Sequence, residues 1–444
     1  MMQHIAEPTV EQTPTALAQS AANCAYWLET MRVQGGFGGP VVHWWQHALM
    51  FTGAGIDWRY EGIISGYLDL YRASGLYYYL DRAVAAANDI VNGQDEYGNY
   101  ANSQFQLNPY TAGTPHEAAV DIALLNVASR LKAEQAEGWE GYIATARRSI
   151  ENFYIRRLWN AERRCFFDDT RSITIVPNKV ATLFIALARL SELSGDSRYL
   201  DAYGLPALDH CLSLQNGRDE NRGAFAQYIE QGRPVNWYFP YYNARIVPAL
   251  VLAHDLTGND TYLAAAVSTM QFILRHIDAD GGLPQVVYAD RRANRYPRWV
   301  AGAGDVILAG LSLVPHGFAF DYQPTLDWIL GGQLESGGFQ TAHGFESQGS
   351  QKTPPSLPHA FDLLPVAGWT DKAFALLCRL LPDSATIPAP TTGAVMRDCV
   401  FREKPARFHE DDDVLDITQE GTILYEWRKG DSWARTVSPA MLWR

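Results

Sequence analysis

Acidic and histidine side chains recur where long apolar helices are predicted to begin. The candidates for acid–base chemistry are Asp57, Glu117, Asp305, His116 and His359. Two carboxyl groups that flank a glycosidic bond can hydrolyse it, one as proton donor and the other as base or nucleophile. Histidine titrates near neutral pH, so a histidine pair can instead move protons at a carbon beside a carbonyl group.

Each candidate also has a structural interpretation. Asp57 is a good helix N-cap, and any acid in the first turn of a helix, such as Glu117, gains from the helix dipole. His116 and His359 follow prolines in equivalent places, and this repetition favours a shared role. Glu117 is our first choice for proton donor because it combines an acid, a neighbouring histidine and a helix start.

Aromatic and polar side chains cluster near the same helix starts. Flat rings with polar edges suit the apolar faces of sugars, while charged side chains bind the hydroxyl groups. The same rings would also suit an isoprenoid cation. The predicted substrate-binding residues are Trp44, Trp45, Trp58, Arg59, Trp237, Tyr241, Arg245, Trp299 and Asp362.

A repeated helical pair explains how residues so distant in sequence could meet. A polar-faced helix, a loop rich in glycine and aromatic residues, and a helix that is apolar nearly all round recur six times. The second helices are predicted to start at Asp57, Pro115, Pro177, Pro240, Gly302 and Pro358, in steps of about 56 to 63 residues. Such a period indicates stacked helical hairpins, and proline is favoured at the first helical position. We predict an all-α fold, an (α/α)6 toroid of six hairpins.

The two ends of this toroid are expected to differ. Loops that lead into the inner helices are long and carry cores such as Gly223-Ala224-Phe225 and Gly337-Gly338-Phe339, whereas the returns are tight, as at Ser74-Gly75 and Thr257-Gly258-Asn259. Function resides in loops more often than in the scaffold. The long loops and the positive N-terminal ends of the inner helices share one mouth, where we predict the site.

Three segments are expected along the 444 residues: a flexible N-terminal tail at 1–20, the toroid at 21–382, and a linker with a short β-hairpin extension at 383–444 that packs on the toroid. Strand-like runs such as Thr422–Trp427 support the extension. The acidic run Glu410–Asp413 is predicted to be a solvated turn.

Composition restricts the partners. The net charge of −13, without a basic run, argues against nucleic acid, and no apolar run reaches membrane-spanning length. Residues 1–20 do not resemble a signal peptide. Five scattered cysteines suit a reducing cytoplasm and show no metal-ligand spacing, so neither a metal nor a cofactor is predicted.

The chain resembles the six-hairpin glycosidase-like superfamily, which includes unsaturated glucuronyl hydrolases, related glycoside hydrolases, some polysaccharide lyases and N-acylglucosamine/cellobiose epimerases. The resemblance covers about residues 20–382 and rests on the repeated helix pairs, the segment Ser194–Leu200, and the acids and histidines that open inner helices. It implies a small carbohydrate or oligosaccharide ligand in a funnel at the loop-rich end.

Three hypotheses follow for the reaction. The first is a glycoside hydrolase that acts on an oligosaccharide or uronide through two carboxylates from Asp57, Glu117 and Asp305. The second is a sugar epimerase or polysaccharide lyase that uses His116 and His359. The third is an isoprenoid cyclase or prenyltransferase-like toroid, since Gly-Gly-Phe repeats also occur in that fold.

Overall fold

The structure is a computed structural model that describes residues 14–43, 48–101, 114–170, 173–218, 220–289, 293–347 and 353–436. The side chains of residues 14, 43, 48–52 and 114–117 lie outside the description. The described helices are α1 (Pro14–Thr30), α2 (Arg59–Ser74), α3 (Tyr77–Asn92), α4 (Thr114–Ala133), α5 (Trp139–Ser149), α6 (Pro177–Ser194), α7 (Leu205–Leu212), α8 (Pro240–Ala244), α9 (Val247–Thr257), α10 (Asp260–Leu274), α11 (Gly304–Leu313), α12 (Gln323–Leu330), α13 (Ala360–Leu363) and α14 (Ala367–Leu380). None of them is long and apolar enough to span a membrane.

Six of these helices contact one another in a closed cycle. Helix α2 contacts α4, and the contacts continue through α6, α9, α11 and α14 back to α2. We call these the inner helices. Helices α1, α3, α5, α7, α10 and α12 precede them in turn, and each packs on at least one inner helix. We call these the outer helices. The alternation agrees with the predicted repeat of helical pairs.

The plain end of the assembly lies where inner helices finish. Gly75, Gly195 and Gly258 follow α2, α6 and α9 in the left-handed conformation, and each donates its backbone N–H to a carbonyl of the last helical turn. Glycine adopts positive φ without steric penalty, so it ends a helix within one residue. The tight returns predicted from the sequence are therefore confirmed.

The loop glycines at the opposite end serve a different purpose. Gly98, Gly223, Gly281 and Gly337 all have positive φ, and each lies directly against the backbone of the outer helix of the following hairpin. A Cβ atom on Gly281 would lie 2.0 Å from the Pro324 carbonyl oxygen at α12. On Gly337 it would lie 2.2 Å from the Asn23 carbonyl oxygen at α1, so the last loop packs on the first helix.

A glutamine reinforces three of these loops. Gln94, Gln215 and Gln333 each donate from Nε2 to the carbonyl of their own loop glycine and to a backbone carbonyl of the next outer helix. The acceptors on the outer helices are Thr145, Ala265 and Ser20. Each amide thereby satisfies two carbonyls at a buried junction between consecutive hairpins.

Two predicted boundaries need correction. The sixth inner helix begins at Ala367, because a short helix, α13, occupies the region after Pro358. Helix α1 begins at Pro14, within the segment predicted to be a tail. Ala18 and Ser20 are buried, and Ser20 Oγ donates to Gln333 Oε1 over 2.6 Å, so this segment is part of the fold. The other domain limits stay predictions.

Short strands lie in the long loops that lead into the inner helices. They are β1 (Arg32–Val33), β2 (Gly36–Phe37), β3 (Gly39–His43), β4 (Ala48–Thr52), β5 (Trp159–Asn160), β6 (Cys165–Phe166), β7 (Ile229–Glu230), β8 (Arg233–Pro234), β9 (Trp237–Tyr238), β10 (Val286–Tyr288), β11 (Ala293–Asn294), β12 (Arg298–Trp299) and β13 (Ala342–His343). They form antiparallel pairs, except that β9, β10 and β11 make a three-stranded sheet.

The C-terminal region is larger than the predicted hairpin. Strands β14 (Val395–Phe401), β15 (Lys404–Glu410), β16 (Val414–Gln419), β17 (Thr422–Arg428) and β18 (Arg435–Thr436) form one antiparallel meander. Glu410 is fully buried and accepts hydrogen bonds from Trp27 Nε1 of α1 and from Ser336 Oγ. The acidic run therefore starts with a buried carboxylate that ties the sheet to α1, and its prediction as a wholly solvated turn was wrong.

The loop-to-helix contact can be tested with two glycines that share a positive φ. Gly337→Ala should be less stable than Gly75→Ala by roughly 1–3 kcal/mol, because both variants carry backbone strain but only the first drives a Cβ into a neighbouring backbone. Urea unfolding of the two variants measures this difference. Equal losses of stability in the two variants would show that α1 and the loop at Gly337 can move apart without a loss of stability.

Candidate active site

Three inner helices and the segment that leads into a fourth bring charged side chains together at the loop-rich end. Glu61 lies in the first turn of α2 and Asp305 in the first turn of α11. Arg245 lies between α8 and α9, while Asp371 and Lys372 lie near the start of α14. We call these five residues the central cluster. Helix starts favour acids because their free N–H groups create a positive end.

One guanidinium joins two carboxylates from different helices. Arg245 Nη2 lies 2.5 Å from Glu61 Oε2, and Arg245 Nη1 lies 3.7 Å from Asp305 Oδ1. The side chains of Arg245, Glu61 and Asp305 are 22%, 14% and 12% exposed, so the group is shielded but still reaches solvent. The two carboxylates raise the pKa of Arg245 although burial opposes the charge, and the arginine stays positive.

A buried ion pair supports this group. Lys372 Nζ lies 2.7 Å from Asp371 Oδ2, and Asp371 has no exposed surface. Burial raises the pKa of Asp371 to about 7 despite Lys372, and the nearby charges of Asp305 and Glu61 act in the same direction. For Lys372 burial disfavours the ammonium, but Asp371 and Asp305 raise its pKa overall.

Glycines allow α14 to come this close to its neighbours. A Cβ on Gly62 of α2 would lie 2.4 Å from Asp371 Oδ2, and one on Gly304 of α11 would lie 2.4 Å from the Lys372 carbonyl oxygen. Helix backbones thus meet almost directly on both sides of α14. The central cluster depends on this packing because it places α14 side chains between α2 and α11.

Four aromatic rings lie beside the central cluster. Trp369 lies 4.5 Å from Trp299 and 6.0 Å from Trp58, measured between ring centroids, and Tyr241 lies 5.3 Å from Trp299. Trp58 Nε1 donates to the Gly368 carbonyl over 2.7 Å, which fixes its ring. Trp58 and Trp369 remain partly exposed. Partly exposed ring faces and charged side chains therefore come from the same two helices, α2 with the residue before it and α14.

The structure brings together five of the predicted residues: Trp58, Tyr241, Arg245, Trp299 and Asp305. It adds Trp369, Asp371 and Lys372, which sequence reasoning missed because the sixth inner helix was placed too early. Glu61 lies four residues after the predicted start of the first inner helix at Asp57 but is not among the predicted site residues. An acid in the first turn of an apolar helix was the available signal.

Asp57 and Arg59 pair with each other. Arg59 Nε and Nη2 donate to the two carboxylate oxygens of Asp57, both over 2.7 Å, and both residues are almost completely buried. Asp57 Oδ1 also accepts from the Arg59 backbone N–H at the start of α2, and Arg59 Nη1 donates to the Phe37 carbonyl. These bonds fix the start of α2 and tie it to the loop that contains Phe37.

The contacts described for His359 and Asp362 lie around α13. His359 is the N-cap of α13: its Nδ1 accepts from the Phe361 backbone N–H over 3.1 Å, and its ring is enclosed by Phe345, Phe361 and Phe401. Asp362 is buried and accepts from the backbone N–H groups of Gly344, Phe345 and His359. The structure does not join these two residues to the central cluster through any described contact.

The remaining predicted residues are placed less completely. Trp44 and Trp45 lie outside the described residues, and His116 and Glu117 belong to the first turn of α4 but their side chains are outside the description. Trp237 lies in β9, and its ring centroid is 5.6 Å from that of Tyr228.

Comparison with known proteins gives structural matches but no sequence matches. No family model and no curated protein matches the sequence. A D-mannose isomerase is 13% identical with a TM-score of 0.63, over 84% of this chain and 98% of that one. A possible member of the GH105 family from Klebsiella pneumoniae subsp. pneumoniae MGH 78578 is 11% identical with a TM-score of 0.60, over 85% and 95%.

An unsaturated glucuronyl hydrolase from Bacillus sp. GL1 is 13% identical with a TM-score of 0.59, over 82% of this chain and 95% of that one. The chain shares the fold of the six-hairpin glycosidase-like superfamily. At such identities the similarity establishes fold alone, and the resemblance predicted from the sequence is confirmed at that level.

The buried carboxyl of Asp362 predicts a pH-dependent stability. Burial raises its pKa from 3.8 to about 7, although three backbone N–H groups oppose the shift. The folded state then binds the proton more tightly than the unfolded state. The stability from this group is complete below pH 3.8 and is lost as the pH rises through about 7.

Urea unfolding at several pH values tests this expectation with Asp362→Asn, which does not titrate. The difference in free energy of unfolding between the wild type and the variant should change in favour of the variant by up to about 1.4 kcal/mol per pH unit as the pH rises from 4 to 7. Parallel stability curves would contradict the assignment.

Proposed function

We propose that this protein is a carbohydrate-active enzyme built as a complete (α/α)6 toroid, and that it hydrolyses a glycosidic bond at the central cluster. Asp305 and Glu61 are the proposed pair of carboxylates. Asp305 belongs to the trio predicted from the sequence, whereas Asp57 is committed to Arg59. Glu117 stays a candidate from the first turn of α4.

The observation that carries the proposal is the bridge made by Arg245. An arginine that bridges two carboxylates holds both in a fixed orientation, as a pair of catalytic carboxylates requires. One of the pair would donate a proton to the leaving oxygen, and the other would act as base or nucleophile.

The surroundings support a sugar as substrate. Trp58 and Trp369 offer partly exposed ring faces to the apolar side of a pyranose, while Arg245, Glu61 and Asp305 can bind hydroxyl groups. Both cations of the central cluster already contact carboxylates, Arg245 with two and Lys372 with Asp371. A uronate would have to compete with these partners, so an uncharged sugar is favoured.

Two other reactions have less support from the structure. A histidine-based epimerase or lyase would need His359, whose ring is enclosed by phenylalanines and whose Nδ1 caps α13. An isoprenoid enzyme shares the aromatic lining but gains no support from the carbohydrate enzymes that share this fold. The observed geometry therefore supports carboxylate-based hydrolysis best.

We also propose a cytoplasmic location. All five cysteines are buried and unpaired in the structure. Unpaired cysteines are typical of proteins kept in a reducing compartment.

Replacement of the proposed carboxylates should abolish most of the activity. Glu61→Gln and Asp305→Asn should each lower kcat roughly 10²–10⁴-fold, because each removes one acid–base group. A panel of chromogenic glycosides provides the measurement. Asp89→Asn is the matched control, since Asp89 is also paired with an arginine, Arg32, and its side chain is 13% exposed, but it lies on outer helix α3. Near wild-type turnover in both cluster variants would reject the proposal.

Incubation of oligosaccharides and, separately, of free sugars in D₂O separates hydrolysis from epimerisation. A hydrolase of this kind should release a new reducing end from an oligosaccharide and leave the carbon-bound hydrogen of both kinds of sugar unexchanged. Carbon-bound deuterium without bond cleavage, detected by mass spectrometry and lost in His116→Ala or His359→Ala, would replace the hydrolase with an epimerase.

A further inference from the structure

The plain end of the assembly carries a second cluster of ligand-type side chains. His254 and Asp255 lie in the last turns of inner helix α9, and His316 lies just after inner helix α11. The prediction of no metal from the sequence rested on spacing, and these residues are far apart in the chain. The fold brings them together because α9 and α11 are neighbours in the ring.

The donor atoms are already close. One nitrogen from each imidazole and one oxygen from Asp255 lie within 4.8 Å of one another, and among the described residues no other group of three histidine, cysteine or acidic side chains meets this condition. His316 Nε2 lies 3.2 Å from Asp255 Oδ1, and the two imidazole centroids are 5.2 Å apart. Tetrahedral Zn²⁺ with bonds of about 2.0–2.1 Å needs donors about 3.3 Å apart, so modest side-chain rotations would complete the site.

Two further observations favour a cation here. His254 Nδ1 is buried and makes no hydrogen bond, and the nearest acid oxygen reported for it, Asp260 Oδ1, is 3.7 Å away. The cluster also lies at the C-terminal ends of two helices, where unpaired carbonyls create a negative potential. A positive ion at this position would be stabilised by both helix ends.

The chemistry of the donors selects the kind of ion. Two imidazoles and one carboxylate suit Zn²⁺ and neighbouring transition metals, whereas Mg²⁺ and Ca²⁺ prefer oxygen ligands. We propose that His254, Asp255 and His316 form a binding site for a divalent transition metal, with Zn²⁺ as its natural probe. The remaining coordination positions face solvent, since Asp255 is half exposed.

Such an ion would act as a structural link. It would join the C-terminal ends of the inner helices of the fourth and fifth hairpins, at the end of the assembly opposite the central cluster. Binding to the folded state alone stabilises it in proportion to the logarithm of the ion concentration. The expected effect is therefore on thermal stability, independent of the proposed glycosidase activity.

Isothermal titration of Zn²⁺ into the chelator-treated full-length protein tests the proposal. One equivalent should bind, and the apparent Tm should rise with Zn²⁺ but not with Mg²⁺ at the same concentration. His254→Ala and His316→Ala should each weaken binding by at least about tenfold and reduce the rise in Tm.

His409→Ala is the matched control. His409 also lies beside two aspartates, Asp411 and Asp416, but its described ion pairs include no second histidine. This variant should bind Zn²⁺ like the wild type. Circular dichroism and the Tm of each metal-free variant show whether it is folded. Absence of binding by the wild type, or equal binding by folded His254→Ala and His316→Ala variants, would overturn the proposal and leave His316 and Asp255 as a simple side-chain pair.

Discussion

The contact between a loop glycine and the backbone of the next outer helix sets the spacing of the hairpins. Gly98, Gly223, Gly281 and Gly337 make the same contact in four hairpins, and any side chain there would collide with main-chain atoms. Main-chain atoms cannot rotate away as a side-chain tip can. Each hairpin is therefore held at one distance from its neighbour, and the contact of Gly337 with α1 continues the series from the sixth hairpin to the first.

The same device positions the candidate active site. Gly62 and Gly304 let α14 approach α2 and α11 closely, and this approach places Asp371 and Lys372 beside Glu61 and Asp305. Burial of so many charges is unfavourable unless each is paired. A scaffold that needed only stability could fill this space with apolar side chains. The retained charges favour a chemical role for this region.

The sequence predicted the repeated parts of the fold better than the exceptions. Proline and glycine at helix ends have direct steric consequences, so the starts near Pro115 and Pro177 and the tight returns were found, whereas at Pro240 only the short α8 begins and the inner helix α9 starts at Val247. At Pro358 the same signals mark the short helix α13, because the capping box of His359 and Asp362 is also typical of the start of a long helix. The sixth inner helix was therefore predicted too early, and Trp369 and Lys372 were not recognised as residues near its start. The burial of Glu410 in the C-terminal sheet depends on tertiary contacts that the local sequence does not show. Its partners Trp27, Ser336 and Lys429 come from other parts of the chain.

The two ends of the inner helices illustrate why polar clusters form where they do. At the N-terminal ends, free N–H groups favour acids, and Glu61 and Asp305 lie there. Arg245 and Lys372 compensate the negative charge of these carboxylates. At the C-terminal ends, free carbonyls favour cations, and His254 and His316 meet there with Asp255. The starts of α2, α11 and α14 meet at one end, and the ends of α9 and α11 meet at the other, so these local preferences add up at each end. The assembly thus has two electrostatically distinct ends, one suited to carboxylate chemistry and the other to a bound cation.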